Sequence, residues 1–147
     1  MDVRDVFPRY AIGTLTSYRE GLPLFLLEGS AFGLPLVSFD VDTGPRDIIT
    51  EGENGCLIEP YDHDAYACAL GRLMDDEDER ARMSAASHRR ADAFSEDAIY
   101  EKWKALIARC VSKGIKEAEL LRLLCVQRCV TAMLRSFLLV RRRRLPV

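Results

Sequence analysis

Three Gly/Pro breaks constrain this chain more than any other feature: Gly21-Leu22-Pro23, Gly33-Leu34-Pro35 and Gly44-Pro45. They cut the first sixty residues into pieces long enough for only one short element each. "YAIGTLTS" (Tyr10 to Ser17) is β-branched and apolar before it turns polar, which predicts a short buried strand. Pro23 suits the first turn of a helix, where its missing N–H is no loss, and the helix is predicted over Leu24 to Phe32 with Gly33 as its stop. "LPLVSFD" (Leu34 to Asp40) is almost continuously apolar, the pattern of a parallel strand covered on both faces.

The same punctuation then repeats. Gly44 ends a loop, Pro45 opens a short helix to about Thr50, a Gly-Glu-Asn-Gly turn follows, and "CLIEP" (Cys56 to Pro60) is a third strand. Asp62 or Asp64 can cap a helix over roughly residues 65–74, "DEDERARMSAASHRRADAF" supplies another, and Ser95 caps a third through Val111. Strands alternating with helices predict an α/β fold, a Rossmann-like parallel sheet flanked by helices.

At 147 residues, 48% of them hydrophobic and 30% charged, the chain has the balance of one domain with a packed core rather than of a disordered segment. Its net charge of -2 conceals two unlike parts. Residues 1–109 hold 12 Lys/Arg against 21 Asp/Glu, and residues 110–147 hold 9 against 2. An acidic body argues against nucleic acid as a partner. The five cysteines make no CxxC pair and no even framework, so neither zinc nor a disulfide scaffold is expected. "MDVRDVFPRY" lacks the apolar run of a secretory signal, which gives a cytosolic location by default.

In an open parallel sheet a ligand sits outside the carboxyl ends of the strands, where both Gly-Pro stretches fall. A helix starting at Pro23 aims free N–H groups and a positive dipole end there, a favourable place for phosphate worth about 0.3 to 1 kcal/mol per interaction. The same geometry is expected at Gly44 to Arg46. Glu28 follows one turn into the helix, amid Leu24, Phe25, Leu26, Leu27, Ala31 and Phe32, where an unpaired charge is costly, so a partner is expected. Facing the crevice while those neighbours face the sheet, its two oxygens could accept from both hydroxyls of a ribose. Glu20, on the preceding loop, is placed for hydroxyls beyond the phosphates. The plainer alternative is that Glu28 is a helix-surface glutamate and that the glycines serve turns alone.

"YREGLPLFLLEGSAFGLPLVSFDVDTGPRDIITEGENGCLIEP" resembles the donor-binding half of the group 1 (family four) retaining glycosyltransferases, marked by two glutamates with seven residues between. The resemblance covers about Asp2 to Ile107. It implies part of the C-terminal domain of a two-domain GT-B enzyme, with a UDP- or GDP-sugar as donor and neither cofactor nor bound metal. Glu20 would be the catalytic-site contact to sugar hydroxyls near the anomeric carbon. Gly21, Leu22, Pro23 and Leu24 would contact diphosphate and sugar, and Glu28 the ribose. The product class implied is hexosyl transfer to a glycan or lipid-linked acceptor. The family's N-terminal acceptor domain and its Arg/Lys diphosphate clamp have no counterpart here, and Arg19 and Arg46 do not match the clamp, so an incomplete enzyme is expected. The Glu-Gly-Leu-Pro run fits the transferases better than the sugar-nucleotide epimerases of the same architecture.

Residues 110–147 form a second segment, a basic, apolar helical tail. Arg128 and Arg135 interrupt its apolar run, so it is not expected to span a membrane, whereas "RRRR" beside one apolar side would suit peripheral attachment to an anionic leaflet. An unrelated extension is the alternative. His63 and His88 lack metal spacing, and Trp103 follows the core spacing of its helix. Two rival readings stand beside the transferase: a vestigial nucleotide-sugar-binding domain, and a membrane-surface protein acting through the tail.

Overall fold

The computed structural model describes residues 3–112. The expected alternation is present. A helical turn α1 (Val3–Val6) and a 3-10 turn (Phe7–Arg9) lead into β1 (Gly13–Leu15), α2 (Leu24–Ala31), β2 (Leu36–Phe39), α3 (Pro45–Ile48) and β3 (Gly55–Ile58). The helices α4 (His63–Asp75), α5 (Glu77–Asp92) and α6 (Glu96–Ser112) follow. The contacts divide the chain into one unit ending at Asp92 and another beginning at Ala93.

The three strands form one parallel sheet in the order β1-β2-β3, with Gly13 opposite Leu36 and Leu36 opposite Gly55. All four residues of β2 are buried, as its unbroken apolar run requires. Alternation along the strand sends Val37 and Phe39 to one face and Leu36 to the other. The first face packs on Tyr66, Ala69 and Leu73 of α4 and Met83 of α5. The second meets α2, whose Gly29 allows the approach, since a Cβ there would lie 3.1 Å from a Leu36 methyl. Leu36 and Leu26 are fully buried, each worth roughly 1.5–3 kcal/mol.

The strand expected over Tyr10 to Ser17 is realised only at Gly13–Leu15, because β1 has a four-residue strand as its one partner. Gly33 stops α2 at φ 75°, and the His88 ring fills the space a side chain would need, with a Cβ falling 2.2 Å from Nε2. Of the two candidate caps for α4 it is Asp62 whose carboxylate accepts the Ala65 amide, at 2.9 Å. In the second unit, Ser95 caps α6 through the Ala98 amide at 3.3 Å.

A buried hydroxyl relay joins α5 to the rest. Ser30 donates to the Ser87 carbonyl and Ser87 to the Leu34 carbonyl, both at 2.8 Å. Asn54, 1% exposed, accepts the Thr50 amide at 2.7 Å and donates to the Ile48 carbonyl at 3.2 Å, fixing the turn before β3. Among the described residues no helix is long and apolar enough to cross a membrane. The expectations for the basic tail, its membrane-surface role included, fall on residues 113–147 and lie outside the described residues.

Candidate functional site

Parallel strands put three loops side by side at their carboxyl ends: residues 16–23 after β1, 40–44 after β2 and 59–62 after β3. The first two are tied together. The Thr43 hydroxyl donates to the main-chain carbonyl of Glu20. Gly44, at φ 98°, lies so close that a Cβ would stand 2.7 Å from Pro23 Cδ and 2.8 Å from the Gly21 carbonyl oxygen. Only glycine satisfies both the backbone angle and the space. The path of Glu20, Gly21 and Pro23 is therefore set by the loop after β2.

That second loop is itself pinned. Arg46 makes a two-pronged ion pair with Asp40 at the end of β2, with Nη2 to Oδ2 at 2.6 Å. The pairing holds the guanidinium charge, and its pKa is raised chiefly by that hydrogen bond. The positive charge expected from Arg46 is consequently engaged by Asp40. Helix α3 is a single turn, so the dipole expected at Gly44 to Arg46 is small.

Helix α2 carries the longer dipole. Pro23 sits at its N-cap with no side-chain hydrogen bond, and the first intrahelical bond runs from the Leu26 amide to the Pro23 carbonyl at 3.0 Å. The amides of Leu24 and Phe25 precede that bond and face the loop end. The helical period gathers Leu26, Leu27, Gly29 and Ser30 on the buried side. Leu24, Phe25, Glu28 and Ala31 occupy the opposite side, with Glu28 at its centre.

One expectation is corrected: Leu24, 40% exposed, does not turn toward the sheet but flanks Glu28, because i and i+4 share a helix face. Phe25 is 39% exposed, yet its ring lies over Gly13 of β1 and 5.4 Å from that of Phe7. Glu28 has no protein partner: among the described residues its carboxylate makes no hydrogen bond or ion pair, and partial burial alone pushes its pKa up. A half-buried acceptor with both oxygens unused is what remains at the middle of the open face.

The remaining predicted residues fall around this face. Glu20 is half-buried, Gly21 and Leu22 are exposed, and Pro23 is buried against Gly44. Arg19, next to Glu20, is exposed. His63 lies edge-on to Phe39 at 5.7 Å and His88 covers Gly33, so neither joins the loops around Glu20. Among the described residues no three His, Cys, Asp or Glu side chains gather as a metal site. Sequence reading missed Thr43, whose role depends on a contact 23 positions away that no local pattern encodes. It also missed the exposed rings of Tyr18 and Tyr61.

Comparison with known proteins places these features in a family. The family model described as "Glycosyl transferases group 1" matches residues 2–90. An exopolysaccharide phosphotransferase of Streptomyces coelicolor is 39% identical over 94 residues, 64% of this chain and 10% of that protein. The poly(glycerol-phosphate) alpha-glucosyltransferase of Bacillus subtilis is 34% identical over 101 residues, 69% of this chain and 15% of that one. Among solved structures, the pneumococcal O-GlcNAc transferase GtfA in complex with UDP and GlcNAc superimposes with a TM-score of 0.64 at 30% identity, over 76% of this chain and 23% of its own. S. aureus TarM, crystallised with UDP, gives a TM-score of 0.65 at 27% identity, over 70% and 21%. The chain thus spans between 10% and 30% of the length of the first three curated relatives it matches.

Proposed function

The chain belongs to the group 1 glycosyl transferases, and on that footing we propose that it is the donor-binding part of a retaining glycosyltransferase that moves a hexosyl group from a nucleotide-diphospho-sugar. The observation that carries the reading is Glu28: an unpaired, half-buried carboxylate at the centre of the open face of a helix whose N-terminal amides are uncapped. Two acceptor oxygens match the two hydroxyls of a ribose, and the helix N-terminus matches the diphosphate attached to it. The main chain of Gly21 to Leu24, braced by Thr43 and Gly44, then lies along diphosphate and sugar, and Glu20 meets the sugar hydroxyls near the anomeric carbon. The reading requires no metal. Its acceptor is a glycan or lipid-linked glycan, met on the cytosolic side.

UDP is the first nucleotide to try, because two structural neighbours are described in complex with it; GDP is the second. Calorimetric titration of the chain with UDP, GDP and their hexose conjugates, with Glu28→Gln as control, tests the reading. Loss of a charge-assisted contact should cost roughly 1.5–3 kcal/mol of binding. Equal affinity in both proteins removes Glu28 from the site.

One observation favours a second reading, in which the domain binds nucleotide-sugar without completing transfer. Arg46 is held by Asp40, which leaves Arg19, among the described residues, as the unengaged cation on the Glu20 loop. Nucleotide affinity with no hydrolysis or transfer of the bound hexose would distinguish it.

A further inference from the structure

Tyr18 and Tyr61 arrive from different strands, three residues beyond the ends of β1 and β3, and meet with ring centroids 5.2 Å apart and planes 31° apart. They are 65% and 57% exposed, so this is a pair of aromatic faces turned largely to solvent. The pair has a rigid backing. Tyr61 also contacts Phe39, whose ring lies 4.9 Å from that of the buried Tyr66.

Tyr61 holds this position at φ 71°, a left-handed value, and among the described residues it is the non-glycine that does so. Such a conformation persists only where the surroundings impose it. The ring nevertheless leaves more than half of its residue's surface in solvent, at a position where glycine would carry no backbone strain. A ligand-facing role accounts for both.

The chemistry of the surroundings narrows the occupant. Glu59 and Asp62 flank Tyr61 in sequence, and Asp40, Asp42 and Glu59 lie close enough to Arg46 to hold its charge. The loop after β3 carries Glu59 and Asp62 and no cation, which disfavours a phosphate at the ring pair itself. Carboxylates do accept from hydroxyls, and a tyrosine offers an apolar face with a polar tip. A neutral hexopyranose has the matching form, a C–H face rimmed by hydroxyls.

We infer that Tyr18 and Tyr61 form a stacking subsite for a neutral hexopyranose ring of the acceptor glycan, beside the Glu20 loop that meets the donor. The inference rests on the donor-site reading for its word acceptor, and deepens it. The stacking itself is independent of Glu28.

The test is titration of the full chain with maltotriose and chitobiose, followed by saturation-transfer NMR, with UDP affinity measured in parallel. Tyr61→Gly relaxes the backbone at φ 71° while removing the ring, so loss of fold does not confound it; Tyr18→Ala and Tyr61→Phe accompany it. We expect one or both sugars to bind the parent and Tyr61→Phe, and both ring deletions to weaken that binding about tenfold, ~1.4 kcal/mol, with UDP unaffected. Binding of neither sugar to the parent, or equal binding to parent and Tyr61→Gly, overturns the subsite. Loss of UDP affinity in the tyrosine variants also overturns it, in favour of a nucleobase platform. Failure of UDP to bind the parent with the sugar result intact would instead strike the donor reading alone.

Discussion

The Thr43 hydroxyl donates to the main-chain carbonyl of Glu20, joining the loop after β2 to the loop after β1 across 23 residues of sequence. Gly44 completes the joint by lying flat against Gly21 and Pro23. The conformation of the first loop is thus not its own property. It is imposed by the loop after the neighbouring strand.

Gly44→Ala should therefore act on both stability and binding. The new methyl would be forced to φ 98° and into Pro23 and the Gly21 carbonyl, a strain on the order of 1–3 kcal/mol. Urea denaturation should show the loss, and UDP affinity should fall further than stability alone explains. Unchanged affinity in a destabilised variant would mean that the loop finds its shape without this contact.

Glu28 gives a pH signature. Burial raises its folded-state pKa, so the folded chain binds its proton more tightly than the unfolded chain does. Its contribution to stability is fully present below the ordinary glutamate range and is lost as pH rises through the raised folded value. Glu28→Gln should match the parent in acid and become the more stable protein toward neutral pH, by a small margin because the group is only partly buried. Thermal melts across that range test it; a neutral-pH melting temperature lower than that of the parent would mean the carboxylate has a stabilising partner.

Asn54→Ala should destabilise by about 1–3 kcal/mol, since it strands the half-buried Thr50 amide and leaves the Ile48 carbonyl with the Arg90 guanidinium as its side-chain donor. Chemical denaturation reads the effect. A cost near zero would show that water reaches that turn.

The cysteines should differ in reactivity. Cys68 is exposed, whereas Cys56 is buried and burial pushes its thiol pKa up despite the Arg72 guanidinium 3.2 Å away. Iodoacetamide should label Cys68 readily and Cys56 only as the sheet opens. Comparable rates for the two under native conditions would contradict the packing around β3.

Much of the fold was legible because the punctuation is local. Pro23, Gly33, Pro45, Asp62 and Ser95 each act on the residues beside them, and each begins or ends an element within a residue or two of its expected place. The position of Glu28 on α2 followed from helical period for the same reason. Leu24 was misjudged because hydrophobicity alone does not say which side of an apolar helix is left open. Ser30, Ser87 and Asn54 were unreadable as core residues, since polar types ordinarily mark surface and only tertiary partners make their burial tolerable.

The relay through Ser87 also orders events in time. Its partners lie 57, 53 and 33 residues earlier in the chain, so these hydrogen bonds form only after a long stretch has been closed into a loop. A nascent chain halted on the ribosome before α5 emerges would lack the Ser87 donor to the Leu34 carbonyl and the Met83 side chain that packs beside Val37 and Phe39. Synthesis must run past Ser87 before the Ser30 hydroxyl and the Leu34 carbonyl both find their partners.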